Sequence, residues 1–140
     1  VGAAMQPETV GSLEILPWTE DSEVSLIQSM DIGLMPLPET PWTRGKCAYK
    51  LIQYMACGLP VVASPVGVNC EVVEHGVNGF LAATNEEWRS AVETLMSDAD
   101  LRRRMGNAGR KKVEESYSLQ VWGPRVAQML RRVADEGRKV

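Results

Sequence analysis

Two short stretches, "RGKCAYK" (44–50) and "SPVGVN" (64–69), combine glycine with positive charge or bare backbone in a way that suits an anion. In the first, Gly45 lets the backbone come close to a ligand, the first-turn amides of the helix that follows point outward, and Arg44, Lys46 and Lys50 add charge. In the second, Gly67 and the amides of Val68 and Asn69 can do the same with no side chain in the way. A diphosphate fits such a pair. Each stretch alone is a weak signal, because a glycine ahead of a helix is commonly a hinge or cap and a first-turn lysine is commonly solvated.

Other chemistries lack their members. His75 is the only histidine and sits in a turn beside Gly76, so neither a Ser/His/Asp triad nor a histidine metal site can be assembled. No GxxxxGK[ST] motif is present, which removes the P-loop NTPases. Cys47, Cys57 and Cys70 are odd in number and have no CxxC spacing, as expected of free thiols in a reducing cytosol. The 15 basic and 18 acidic residues leave a net charge of -3, which offers no general field for nucleic acid or an anionic membrane. The basic run "LRRRMGNAGRKK" is interleaved with Asp98, Asp100, Glu114 and Glu115 and reads as a solvated helix face. No apolar stretch of about 18 residues or signal sequence occurs, so a cytoplasmic chain that binds no nucleic acid is expected. What remains is binding apparatus without a complete catalytic set.

The elements that must hold these turns alternate between short apolar runs and amphipathic helices, the signature of an α/β fold in one domain. Strands are expected at 13–16 (LEIL), 32–37 (IGLMPL) and 61–63. A helix over 22–29 has Asp21 or Ser22 as N-cap and Val24, Leu26 and Ile27 as its apolar side. Residues 38–44 (PETPWTR) hold two prolines and are predicted to form no regular element. That loop follows a strand, where open α/β sheets put their ligands. In "GKCAYKLIQYMACGLP" (45–60) a lysine-bearing turn opens about three helical turns, with Leu51, Ile52, Met55 and Ala56 as the packing stripe. Gly58 and Pro60 stop that helix. A short helical turn over 71–74, a tight turn over 76–79, a helix capped by Thr84 or Asn85, and a second helix over about 99–115 follow. A third helix begins at Ser118 and is interrupted at Gly123-Pro124.

The run "DIGLMPLPETPWTRGKCAYKLIQYMACGLPVVASPVGVNCEVVEHGVNGFLA" (31–82) resembles the donor-binding domain of family 4 nucleotide-sugar glycosyltransferases, which have the GT-B fold. The block "YMACGLPVVAS", followed by "HGVNGFL" at this spacing, is its specific part, and the later helices resemble the tail of the same domain. The resemblance implies a Rossmann-like three-layer parallel sheet. It implies binding of a nucleotide-diphosphate sugar, UDP- or GDP-linked, and transfer of the sugar with retention and without an obligatory metal. The family's usual Glu-x7-Glu pair meets the donor sugar and the ribose. Alignment on the helix ending in "MACG" puts Gly45 and Gln53 at those two positions, so both acids are absent. Gln53 can still hydrogen-bond a ribose diol, without the strength of a carboxylate. Lys46 or Lys50 would reach the diphosphate or sugar, Glu39 could supply the lost carboxylate, and Gly67, Val68 and Asn69 match the loop that approaches the phosphates.

By the same resemblance, "VGAAM" is the end of a second strand. Residues 1–140 would then be a partial C-terminal donor-binding domain, an incomplete half of a GT-B enzyme without its acceptor domain. In the usual order 3-2-1-4-5-6 the absent strand is central. The chain is therefore expected to self-associate through an exposed strand edge, to rearrange, or to be marginally stable. A terminal helix with an apolar face adds to that exposure. The alternative to the enzyme part is a catalytically inactive truncated domain that self-associates or binds a partner.

Overall fold

A computed structural model describes residues 8–10 and 13–137. In chain order its elements are β1 (Glu8–Val10), β2 (Leu13–Ile15), α1 (Glu20–Gln28), β3 (Gly33–Met35), α2 (Pro41–Arg44), α3 (Tyr49–Ala56), β4 (Val61–Ala63), α4 (Asn69–Val72), β5 (Gly79–Leu81), α5 (Asn85–Ser97), α6 (Ala99–Ser116) and α7 (Leu119–Gly137).

β4 is the hub. It pairs in parallel with β3 on one side and β5 on the other, with Val62 opposite Leu34 and Phe80. All three of its residues are fully buried, as a strand covered on both faces must be. The side-chain alternation of a strand divides the core in two. Val61 and Ala63 pack with Leu51 and Met55 of α3, Val72 and Val73, and Val113 of α6. Val62 faces the other way, onto Ala91 and Leu95 of α5 and Met105 of α6. The result is the expected α/β architecture, a parallel sheet between helical layers. The glycines of the basic run are explained by packing: a Cβ on Gly106 would collide with the Gly58 carbonyl oxygen, so α6 lies directly on the end of α3. Most of its charges face solvent, in pairs such as Arg103–Asp100 and Arg110–Glu114, while Arg102 turns back to donate to the Leu95 carbonyl and Lys112 to that of Glu71.

Several expectations require correction. The strand expected over 13–16 is present as β2, but it pairs antiparallel with β1 in a separate ribbon. "VGAAM" lies outside the described residues. α1 is capped by Thr19, whose Oγ1 accepts the Ser22 N–H at 3.1 Å, and not by Asp21 or Ser22. Only Ile27 of its apolar side is buried, and Val24 is exposed. The prolines of 38–44 do not prevent regular structure: Pro41 opens the single turn α2 at its first position, where no intrahelical partner exists for an N–H to meet. α3 keeps Leu51 and Met55 buried with Ile52 against them, while Ala56 is exposed. α7 runs through Gly123-Pro124 without a break. Pro124 removes one ladder hydrogen bond, in a helix with no buried residue.

Candidate functional site

The two turns do meet, though not as the sequence alone suggests. α2 is held by a reciprocal capping box: Thr40 Oγ1 accepts the Thr43 N–H at 3.2 Å, and Thr43 Oγ1 accepts the Thr40 N–H at 3.0 Å. Gly45 is therefore the C-cap of α2 and not the start of the next helix. Its φ is -81°, so no left-handed conformation calls for glycine there. The N–H groups of Gly45 and Lys46 are spent on the Trp42 and Thr43 carbonyls. Lys46 can thus offer its side chain only.

α3 starts at Tyr49 and has 8 residues, shorter than the expected three turns or so. Its N-cap, Ala48, is buried in the left-handed conformation (φ 55°) and makes no side-chain cap. That conformation costs a non-glycine residue about 1–2 kcal/mol. Leu51 and Ile52 donate to the Ala48 carbonyl, and among the described residues the N–H groups of Tyr49 and Lys50 find no partner. The free donors and positive end of the helix dipole thus sit with the Lys50 side chain on a cavity of about 330 Å³, whose wall runs from Met35 to Gly45–Lys50.

The second turn lies against the first. Gly67 has φ 52°, and a Cβ on it would stand 2.6 Å from the Arg44 carbonyl oxygen, so the loops touch backbone to backbone. The N–H groups of Gly67 and Val68 have no partner among the described residues. Asn69 differs from the expectation. Its N–H bonds the Val66 carbonyl, and its buried side chain donates to the Ser64 carbonyl at 3.0 Å, so it holds the loop and offers a ligand nothing. Ser64 in turn accepts the Leu37 N–H at 2.9 Å, which ties this loop to the end of β3.

The carboxylate at this corner is one that sequence reasoning missed. Glu23 of α1 takes three donors: Lys50 Nζ and Trp18 Nε1 at 2.8 Å on Oε1, and Gln53 Nε2 at 2.7 Å on Oε2. Lys50 first, and Trp18 second, hold its pKa below the usual carboxylate range. Gln53 Oε1 is buried with no partner, and so Gln53 presents no free acceptor in this arrangement. Glu39 instead pairs with Arg44 at 2.6 Å, with both side chains largely exposed, and is not beside Lys50 or Gln53. No local spacing could have shown the Glu23 pairing, because Lys50 and Gln53 lie 27 and 30 residues further along.

A larger hollow of about 510 Å³ lies at the β5–α5 corner between His75, Phe80, Glu86, Glu87 and Thr94. His75 Nδ1 accepts the Leu81 N–H at 3.1 Å, and the two glutamates make this wall acidic, so the hollow is a poor place for a diphosphate. Among the described residues no cluster of three His, Cys, Asp or Glu is arranged to hold a metal, and no helix is long and apolar enough to cross a membrane.

The family model described as "Glycosyl transferases group 1" matches residues 19–112. Spore coat protein SA of Bacillus subtilis is 33% identical over 87 residues, 60% of this chain and 22% of that protein. The N-acetyl-alpha-D-glucosaminyl L-malate synthase of Bacillus anthracis is 35% identical over 69 residues, 48% of this chain and 18% of its own length. The chain thus spans about a fifth of these relatives. Among solved structures, sucrose-phosphate synthase of Thermosynechococcus elongatus superposes with a TM-score of 0.69 at 20% identity, over 86% of this chain and 30% of that one. Anabaena HepE, in complex with UDP-glucose, gives 0.64 at 24% identity, over 84% and 31%. These likenesses establish the fold, that of part of a GT-B structure.

Proposed function

Since the chain belongs to the glycosyl transferases group 1 family, we propose that it is the donor-binding part of a retaining, family 4 enzyme that transfers a sugar from a nucleotide-diphosphate sugar to an acceptor held by a facing domain. The observation that carries this reading is the convergence of two anion-accepting turns. Tyr49 and Lys50, whose N–H groups are unpaired among the described residues, line one hollow, and the free N–H groups of Gly67 and Val68 lie on the loop that touches Arg44 beside it. Preorganised donors of this kind stabilise the charge that develops on a leaving diphosphate, so the reading requires no obligatory metal. Lys46, also on the hollow's wall, adds a second cation. Gln53 lies one turn along α3 from Lys50, but its Nε2 is held by Glu23 and its Oε1 is buried, so in this arrangement it has no acceptor to offer a ribose. Solved structures of similar fold described with UDP and UDP-glucose support a uridine donor, with a guanosine donor as the alternative. The absence of a membrane-crossing helix among the described residues is compatible with a cytoplasmic enzyme.

Calorimetric titration with UDP, GDP and ADP tests this. Saturable heat with one of them is expected, and none at millimolar nucleotide removes the donor site. A second reading, an inactive module that self-associates or serves a partner chain, rests on α7. Leu119, Met129, Leu130 and Val133 are all more than half exposed on that helix.

A further inference from the structure

Glu23 is placed unlike an ordinary surface carboxylate. Its side chain is only 17% exposed, and donors from three places in the chain converge on it: the indole of Trp18 just before α1, and Lys50 and Gln53 one turn apart on α3. The three contacts are 2.7–2.8 Å, short charge-assisted bonds. A carboxylate accepts and cannot donate, so Gln53 can meet it only through Nε2. That leaves Oε1 turned inward, buried and unpaired, an arrangement not made for stability alone. Lys50 is the member that also lines the hollow of the candidate site. With one of its three N–H groups held by Glu23, the remaining two are aimed rather than free to sweep.

We infer that Glu23 is a positioning residue for the donor site: from α1 it supplies the carboxylate that positions 45 and 53 lack, and it fixes the Lys50 ammonium at the cavity wall. This rests on the donor-binding reading above. The pair is partly solvated, so its worth lies in geometry more than in stability. Because the ends of Glu23 and Gln53 are 2.7 Å apart, exchanging the two residues keeps one carboxylate and one amide at the same seam. The carboxylate can therefore reside on either helix.

The experiment measures UDP affinity and the denaturation midpoint for the wild type, Glu23→Gln, and the exchange Glu23→Gln with Gln53→Glu. Glu23→Gln should weaken UDP about tenfold, the loss of one charge-assisted contact. The exchange should recover affinity to within about threefold of the wild type. If Glu23→Gln fails to fold, Trp18→Phe, which removes one donor and leaves the charge, should weaken UDP by less than about threefold. A Glu23→Gln protein that folds and binds UDP as the wild type does overturns the inference, as does an exchange that leaves affinity as low as Glu23→Gln, or a tenfold loss in Trp18→Phe. A wild type that binds no nucleoside diphosphate removes the donor reading and this inference together, so the two failures are told apart by the wild-type titration.

Discussion

Gly67 and Arg44 meet backbone to backbone: with φ 52° and no side chain, Gly67 brings its loop so close that a Cβ would lie 2.6 Å from the Arg44 carbonyl oxygen. Gly67→Ala must both hold a left-handed φ and push the turns apart. It should cost about 1–3 kcal/mol and weaken nucleotide binding beyond that loss. Urea unfolding with a parallel UDP titration checks both. Unchanged stability would mean that the loops are not in contact.

Lys50 and Asn69 should separate cleanly. Lys50→Ala removes the cation on the hollow and should weaken UDP about tenfold or more with little change in the unfolding midpoint. Asn69→Ala instead leaves the Ser64 carbonyl without its partner and should lower stability by about 1–3 kcal/mol. Thermal unfolding and calorimetry on the two variants decide, and an Asn69→Ala protein of full stability with lost affinity would return Asn69 to the ligand.

The architecture was legible in the sequence where pattern and chemistry agree. The run 61–63, the stop at Gly58 and the Thr84 cap are where expected, because apolar runs and cap residues act locally. α2 was not, since Pro41 and Thr40 read as loop residues until Thr43 is seen bonding back to complete the capping box. The start of α3 follows a left-handed alanine, a conformation that no residue type announces. Of the candidate site, the meeting of the two glycine-bearing turns fits the sequence pattern, but Gly45 is a plain C-cap with its N–H spent, which its residue type does not announce. That Asn69 turns inward and that Glu23 reaches α3 depend on side-chain packing across elements.

Glu87 sets an acid limb on stability. The Ala83 N–H at 2.6 Å, and then the Thr84 N–H, hold its pKa below the usual carboxylate range. A depressed folded value contributes stability that is complete above the unfolded pKa and is lost as pH falls through the lowered one. Glu87→Gln should therefore be less stable than the wild type near neutrality, and the two should converge at the acid end. Denaturant midpoints measured across that range check it, and parallel curves would contradict it.

Association is expected at high concentration. α7 keeps Leu119, Met129, Leu130 and Val133 uncovered, and among the described residues no strand pairs with the outer edge of β3, whose Leu34 is exposed. Sedimentation equilibrium should show a concentration-dependent rise in mass, weakened by Leu130→Glu if α7 carries it. A monomer throughout would count against the assembly reading.

The most direct test of the donor site is the map of backbone amide shifts on titration with UDP. Saturable changes are expected at Tyr49, Lys50, Gly67 and Val68, with Asn69 and the His75–Thr94 hollow little affected. Shifts confined to His75, Phe80 and Thr94, or none at saturating UDP, would contradict the donor-site reading.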